Sequence, residues 1–182
     1  MKRKILIGVG VVILALVGFA TYSFLTTRNL SPKQTTDYSA NGLDIKVTYG
    51  RPSKRGRLIF GEEKDKALQP NGKYWRMGAN DATEITFSKN VTFAGQPVNA
   101  GGYRMYAMLD AASWKITLNS ELGKFGYFEP DHALDVLTVE VPVATSPTEV
   151  EQFTINFSSD STAVNMDFVW DKTLVRVPLT VQ

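Results

Sequence analysis

The chain has 182 residues, of which 43% are hydrophobic and 21% are charged, so it has room for a membrane anchor followed by one folded domain. It contains no cysteine, which excludes disulfides, thiolate nucleophiles and cysteine metal sites. The formal net charge is +2, but four of the 20 basic residues lie in the first thirty positions. The rest of the chain therefore has 16 basic against 18 acidic residues. This balance excludes the basic excess that is typical of a nucleic-acid-binding domain.

An uncharged apolar run occupies residues 5–25. As a helix, this run would span about 30 Å, the thickness of the hydrocarbon core of a bilayer. Lys2, Arg3 and Lys4 precede it, and the positive-inside rule keeps such cations in the cytoplasm. We therefore predict a signal-anchor transmembrane helix over residues 1–27. It would contact the lipid bilayer of the inner (cytoplasmic) membrane through residues 5–25 in a single pass, with the C-terminal domain outside the cytoplasm.

A cleaved signal peptide is the alternative for this segment. Gly18-Phe19-Ala20 matches a small-x-small cleavage site, and cleavage would release the protein into the periplasm. The apolar run is longer than the roughly 7–15 residues of a typical cleaved signal, which favours the anchor. Residues 28–41 are polar and are predicted to form a tether, so the folded domain is predicted over residues 42–182.

The domain contains repeated runs in which apolar and polar residues alternate, the pattern of half-buried strands. In chain order, the predicted strands occupy residues 43–49, 84–88, 91–93, 103–109, 114–118, 137–143, 153–157, 164–170 and 173–181. Pro142 marks an edge or a bulge, because proline cannot donate to a strand ladder.

No amphipathic helix longer than two turns is predicted in the domain, and most of the links are short and rich in turn residues. The pattern predicts an all-β fold with one N-terminal transmembrane helix: an antiparallel β-sandwich of about nine strands, jelly-roll-like or a flattened barrel. An up-and-down barrel is the alternative. The long irregular links at 51–83 and 121–134 favour the sandwich.

The stretch just ahead of the strand at 84–88 fits neither a strand nor a helix. It contains Tyr74, Trp75, Arg76 and Asn80. Polar and aromatic loop residues beside a rigid scaffold are commonly used for binding. This stretch is therefore the centre of the predicted site.

Several motifs follow one another through the domain. They are Tyr49-Gly50-Arg51-Pro52, Gly56-Arg57, Ile59-Phe60-Gly61, Trp75-Arg76-x-Gly78-Ala79-Asn80-x-Ala82-Thr83 and Ala100-Gly101-Gly102-Tyr103. Through them the chain resembles the bacterial domain of unknown function 2911 family over most of residues 31–182, most densely between 49 and 119. The resemblance implies an envelope protein of Bacteroidetes-like bacteria. It implies no activity and no catalytic residue, because none is established for the family.

Three arginines at loops or strand ends are the first candidates for ligand contact, since a guanidinium fork binds carboxylate, phosphate or sugar hydroxyls. If their loops converge, they would form a rim for a small anionic or carbohydrate ligand, with two aromatic rings as stacking faces. The candidate ligand-binding residues are Arg51, Arg57, Tyr74, Trp75, Arg76, Asn80 and Glu84.

A structural role is the alternative for these side chains. An arginine in an irregular loop often satisfies backbone carbonyls that no ladder reaches, and Asn80 and Glu84 would then be its internal partners. Trp75 lies outside any strand period and is either a core plug or a ligand platform. Trp114 and Trp170 lie in phase with strand interiors and are predicted to pack in the core.

Groups suited to catalysis or metal binding are sparse. Asp81 and Glu84 form one carboxylate pair for acid/base hydrolysis, and His132 with Asp131 or Asp135 could begin a metal site. The single histidine excludes a three-histidine site, and no metalloprotease, nucleophile-elbow, P-loop or dinucleotide motif is present. We therefore predict no catalytic residue, no metal and no cofactor.

Three functions stay open at this point. The favoured one is a membrane-anchored envelope protein whose periplasmic domain is a binding or interaction module. The alternative from a different class is a small hydrolase that acts on envelope carbohydrate or lipid, with Glu84 or Asp81 as the acid/base. The third is a structural partner of another envelope protein, joined through an edge strand.

Overall fold

One apolar helix and twelve strands make up the fold in the computed structural model, which describes residues 2–160 and 162–182. The helix α1 spans Lys2–Leu30. The strands are β1 (Lys33–Ala40), β2 (Leu43–Gly50), β3 (Phe60–Gly61), β4 (Gln69–Pro70), β5 (Tyr74–Trp75), β6 (Thr83–Phe87), β7 (Val91–Phe93), β8 (Gln96–Val98), β9 (Gly101–Leu109), β10 (Ser113–Asn119), β11 (Asp135–Ser159) and β12 (Val164–Val181). Short 3-10 turns lie at Glu63–Asp65 and His132–Leu134.

The helix α1 lies where the apolar run predicted it. Its segment Ile7–Leu30 is long and apolar enough to cross a membrane, and none of this segment is buried against the rest of the protein. Its length and composition are those of a membrane anchor or of a signal sequence.

The segment predicted as a tether is ordered, which corrects the predicted start of the domain. α1 continues to Leu30, and after only Ser31 and Pro32 the chain enters β1, which pairs along its whole length with β2. A hairpin turn with positive φ at Asn41 and Gly42 joins the two strands. The polar residues of β1 gave no hydrophobic strand signal because β1 is an edge strand with one face in solvent.

Ten of the twelve strands form one sheet that folds over on itself into two halves. Its order is β1-β2-β6-β9-β10-β11-β12-β7-β8, with β5 also paired to β9, and these pairs are antiparallel. The short β3–β4 pair is parallel. The sheet does not close on itself, so the sandwich-like all-β prediction is confirmed and the closed-barrel alternative is wrong.

The long strand β11 connects the two halves. Its first part, up to Pro142, pairs with β10, and from Val143 onward it pairs with β12. The change of partner falls beside the proline, whose missing N–H ends one ladder. Two pairs of predicted strands are thus single long strands here: β11 continues through register shifts between Thr145 and Thr154, and β12 continues through Asp171, whose φ is positive.

An aromatic cluster fills the space between the two halves. The indoles of Trp75, Trp114 and Trp170 all pack in it, with ring centroids 5.3 Å apart for the first two and 6.1 Å apart for Trp75 and Trp170. Phe60 and Phe153 pack edge-on against the indole of Trp75 at 5.3 and 5.0 Å. Trp114 and Trp170 are core residues, as predicted, and Trp75 takes the core alternative because only 2% of its surface is exposed.

Candidate functional site

The outer face of β9, opposite the aromatic cluster, is also buried. Met105 and Ala107 point into the core, while the intervening Arg104 and Tyr106 are buried on the other side. The segment 120–134 covers them, because Arg104 donates to the Phe128 carbonyl and Asn119 donates to the Asp131 carbonyl at 2.9 Å. We call the polar side chains that meet between the sheet and this segment the polar layer. They are Tyr74, Arg104, Tyr106, Asn119, Glu121 and Asp135.

Arg104 is the central residue of the polar layer, with 1% of its surface exposed. Its Nη1 donates to Glu121 Oε2 at 3.2 Å, and its Nη2 donates to the hydroxyl of Tyr74 at 2.9 Å. The Tyr74 hydroxyl extends the network, because it donates to the Gly126 carbonyl at 3.1 Å. Burial raises the pKa of Tyr74, and the Arg104 cation offsets part of that rise. These bonds hold segment 120–134 against the sheet.

A second hydrogen-bond network anchors the far end of that segment. The Tyr106 hydroxyl donates to Asp135 Oδ2 at 2.8 Å and lies 3.0 Å from His132 Nδ1, while Asn119 Nδ2 donates to Asp135 Oδ1 at 2.8 Å. Burial raises the pKa of Tyr106 to about 12. Hydrogen bonds to Asp135, and secondarily to Glu129, raise the pKa of His132. Among the described residues, no group of three or more acidic or histidine side chains is arranged to hold a metal ion.

A recess opens beside the polar layer, at the edge of segment 120–134. It has a volume of about 180 Å³ and is lined by Gln69, Tyr74, Trp75, Arg76, Gly126 and Tyr127. We call it the Arg76 recess. Burial lowers the pKa of the Arg76 guanidinium from its ordinary value. Within residues 2–160 and 162–182, no carboxylate and no hydrogen-bond acceptor pairs with this guanidinium.

Gly126 shapes the wall of the recess. A Cβ at this position would lie 2.8 Å from Arg76 Cδ and 3.0 Å from the Ala82 backbone, so glycine alone allows this approach. The Gly126 N–H donates to the Asn80 carbonyl at 2.9 Å, and Ala82 N–H donates to the Lys124 carbonyl at 3.1 Å. Segment 120–134 is thereby pinned to the loop that carries Arg76.

The other two predicted arginines lie elsewhere and bond to the protein itself. Arg51 donates to the Phe153 carbonyl at 3.1 Å and to Thr154 Oγ1 at 2.8 Å. Arg57 donates to the Ser53 carbonyl at 2.6 Å and to the Lys54 carbonyl at 2.9 Å. Arg51 lines a different cavity from Arg76, between β1 and β11. The predicted single rim of three arginines is therefore not assembled, because the loop that carries Arg51 and Arg57 packs on β11, while Arg76 opens onto the recess.

The remaining candidates also have internal partners. Asn80 Nδ2 donates to the Ser31 carbonyl at 3.3 Å, and Glu84 Oε1 accepts the Gly123 N–H at 2.6 Å. Neither is bonded to one of the three arginines, so the predicted arginine partnership is wrong for both. Three of the predicted residues line the recess: Tyr74, Arg76 and Trp75, the last of them as a core residue.

The Gly50 motif has a packing explanation. A Cβ on Gly50 would lie 2.1 Å from the Ala79 carbonyl oxygen, and one on Gly78 would lie 2.9 Å from the Gly50 carbonyl oxygen. These two glycines let the loop that carries Arg76 lie directly on β2. The motif spacing thus encodes a close backbone contact that positions the recess.

The carboxylates assigned to the hydrolase alternative are engaged in ion pairs or hydrogen bonds. Asp81 pairs with Arg28 Nη2 at 3.2 Å and with Lys33 Nζ at 3.6 Å, and Glu84 caps the Gly123 N–H. Both contacts join parts of the fold: the first ties α1 to the domain, and the second ties segment 120–134 to β6.

The sequence pattern missed Arg104, Tyr106 and Glu121 as site residues. The alternation of β9 predicts that Arg104 and Tyr106 face solvent, and segment 120–134 has no period to show that it covers them. The one available signal was composition: a tyrosine on the polar side of a strand, followed by an aromatic-rich link.

Comparison with known proteins gives a single family. A family model described as "Protein of unknown function (DUF2911)" matches residues 31–179. No curated protein and no solved structure matches the chain. The matched region begins just after α1 and includes β1, in agreement with the observed start of the domain.

Proposed function

The chain belongs to the DUF2911 family of proteins of unknown function, and from this premise we propose that it is a membrane-anchored binding module of the periplasm, whose Arg76 recess takes the anionic group of a small ligand. The support for an anchor is α1: none of its described segment Ile7–Leu30 is buried against the domain, and cations precede it. By the positive-inside rule, these cations favour an orientation with the domain outside the cytoplasm.

The state of Arg76 carries the ligand proposal. A half-buried guanidinium has lost part of its hydration, and such a charge is ordinarily paired with an anion. Arg51 and Arg57 both satisfy backbone carbonyls, whereas Arg76 opens onto a cavity without a protein acceptor among the described residues. A carboxylate or phosphate would complete its hydrogen bonds.

The recess also limits the size of the ligand. Its 180 Å³ is smaller than the roughly 300–1,000 Å³ of pockets for drug-sized molecules, so it accepts one small group rather than a whole oligomer. Tyr127 is well exposed at its mouth and offers a ring face to a sugar or a headgroup. We therefore assign the recess to a phosphate or carboxylate carried on a larger envelope molecule.

Thermal unfolding of the full-length protein in a phosphate-free maltoside detergent tests the site. Inorganic phosphate is compared with chloride at equal ionic strength, for wild type, Arg76→Gln and Arg55→Gln. Arg55 is an exposed arginine outside the recess and serves as the matched control. At ten times its Kd, phosphate would stabilise a competent site by about 1.4 kcal/mol, a rise in Tm of roughly 3–6 °C.

The rise should occur in wild type and Arg55→Gln and be absent in Arg76→Gln. An equal rise in Tm in all three proteins, or no rise in wild type, would contradict the assignment of the recess as an anion site. Protease treatment of spheroplasts tests the location independently: the domain should be digested with the inner membrane intact. Protection of the domain would contradict the proposed orientation.

A further inference from the structure

Exposed apolar side chains outside α1 are concentrated in one segment. Among the described residues, nine large hydrophobic side chains outside the helix are exposed, and five of them lie in segment 120–134. Phe125, Tyr127 and Phe128 are 46%, 68% and 69% exposed and follow one another closely. We call these three residues the aromatic edge. Water-exposed rings in such density mark a surface that meets an apolar phase.

The aromatic edge lies next to the end of α1. Phe125 forms a β-bridge with Asp81, and Asp81 pairs with Arg28 in the last turn of α1 and with Lys33 at the start of β1. Phe125 and Lys124 line one cavity together with Arg28. Since only Ser31 and Pro32 separate α1 from β1, the domain has no tether with which to move away from the helix end.

The chemistry of this edge is that of a membrane interface. Arg28 sits over the ring of Phe24 at 4.7 Å, the arrangement of a cation and an aromatic ring at headgroup level. Lys33 and Lys124 line the same cavity as Arg28, and their side chains are 62% and 55% exposed. Aromatic rings flanked by cations are the side chains that partition into the headgroup region.

We propose that the aromatic edge inserts into the interfacial region of the same bilayer that α1 spans, and that the Arg76 recess takes the phosphate of a lipid headgroup in that leaflet. Tyr127 belongs to both surfaces, since it lines the recess and carries the second ring of the edge. This inference rests on the proposed anchor and on the proposed anion site, and it names the bilayer itself as the source of the anion.

Quenching by brominated lipid tests the insertion. Full-length variants with an added tryptophan are reconstituted in nanodiscs of phosphatidylcholine, with and without dibrominated acyl chains. Phe128→Trp reports the edge, Phe19→Trp reports the middle of α1, and Lys89→Trp is the control. Lys89 lies beside the β1–β2 turn, at the far end of a hairpin that runs eight residues, about 26 Å, from α1.

Bromination should quench the added fluorescence of Phe128→Trp at least about twofold more than that of Lys89→Trp, since bromine quenches only rings at membrane depth. Equal quenching at 128 and 89, with strong quenching at 19, would overturn the insertion while the anchor stands. Weak quenching at 19 would instead show that the proposed anchor fails.

The phosphate source is tested by repeating the phosphate titration in the nanodiscs. If lipid phosphate occupies the recess, inorganic phosphate raises Tm in detergent and has no effect on Tm in nanodiscs. An equal rise in both would overturn the lipid assignment and leave the anion site intact. Absence of a rise in detergent is the separate failure of the proposed anion site.

Discussion

The inner face of β9 and β10 and the part of their outer face around Arg104 and Tyr106 are both buried, but they are held in different ways. The aromatic cluster lies on one face, where Trp75, Trp114 and their neighbours are covered by the other half of the sheet. The polar layer lies on the other face, where Arg104 and Tyr106 are covered by a segment almost without regular structure. Non-directional packing holds the first face and directional hydrogen bonds hold the second.

The comparison shows why an apolar face tolerates substitution by similar shapes while a polar one does not. A ring in the aromatic cluster makes many weak contacts, so another ring recovers most of them. A guanidinium in the polar layer makes a few strong bonds, and removing it leaves their acceptors desolvated and unpaired. The four predictions that follow separate these two behaviours. Each is tested by unfolding the full-length protein in detergent.

The largest effect is expected from Trp75→Ala. Removing a fully buried indole should lower the free energy of unfolding by about 3–5 kcal/mol through lost burial and the cavity left behind. Trp75→Phe should cost much less, because the indole Nε1 has no hydrogen-bond partner among the described residues. Denaturant titration followed by near-UV circular dichroism measures both, and a Phe variant as unstable as the Ala variant would contradict non-directional packing.

Arg104→Met should cost about 2–4 kcal/mol, because the Phe128 carbonyl loses its donor and Glu121 loses its buried partner, keeping only the exposed Lys124 at 3.4 Å. Adding Glu121→Gln should recover part of the loss, since a neutral amide then replaces the partly buried carboxylate that lost Arg104. The matched control is Arg176→Met, which removes an exposed arginine from the far half of the sheet. Equal costs for the two arginines would mean that segment 120–134 is not held by the polar layer.

Tyr106→Phe removes a single hydroxyl and should cost about 1–2 kcal/mol, because its bonds to Asp135 and His132 are lost while the ring stays in place. Tyr127→Phe is the control, since this exposed ring has no hydroxyl partner in the described structure. Guanidinium titrations of both variants give the comparison. No difference between them would show that the second network adds no stability.

The smallest effect is a pH dependence from His132. Hydrogen bonds to Asp135 and Glu129 raise its pKa in the folded protein, so folding favours the protonated ring. The stabilisation is fully present below the unfolded pKa of about 6.5 and is lost as pH rises through the folded value. The stability gap between wild type and His132→Gln should therefore shrink as the pH rises above about 6.5, modestly because the ring is half exposed. A gap that widens with pH would reverse the sign of this coupling.

Much of the fold follows from local pattern. The apolar run predicted α1, and strand alternation placed Trp114 and Trp170 in the core. The edge strand β1 was missed because its pairing with β2 depends on partners three to seventeen residues away rather than on its own hydrophobicity. Its Asn41-Gly42 turn was the local signal that identifies the hairpin.

The candidate site was predicted in part. The motif around Arg76 located one real recess, and Tyr74 belongs to it. The grouping of Arg76 with Arg51 and Arg57 failed because side-chain type says nothing about which loops meet. The role of Arg104 could not be predicted, because residues 120–134 bury it and their sequence has no strand or helix periodicity.

The amino-acid sequence by itself determined the apolar helix, the antiparallel strand class and the membership of the family, since these depend on local hydrophobic period and on motif spacing. Only the tertiary structure decided that segment 120–134 folds onto β9, that Arg76 is left without a protein anion among the described residues, and that Phe125 lies beside Arg28. Those outcomes depend on contacts between residues far apart in the chain, and a local pattern does not contain the identity of a distant partner.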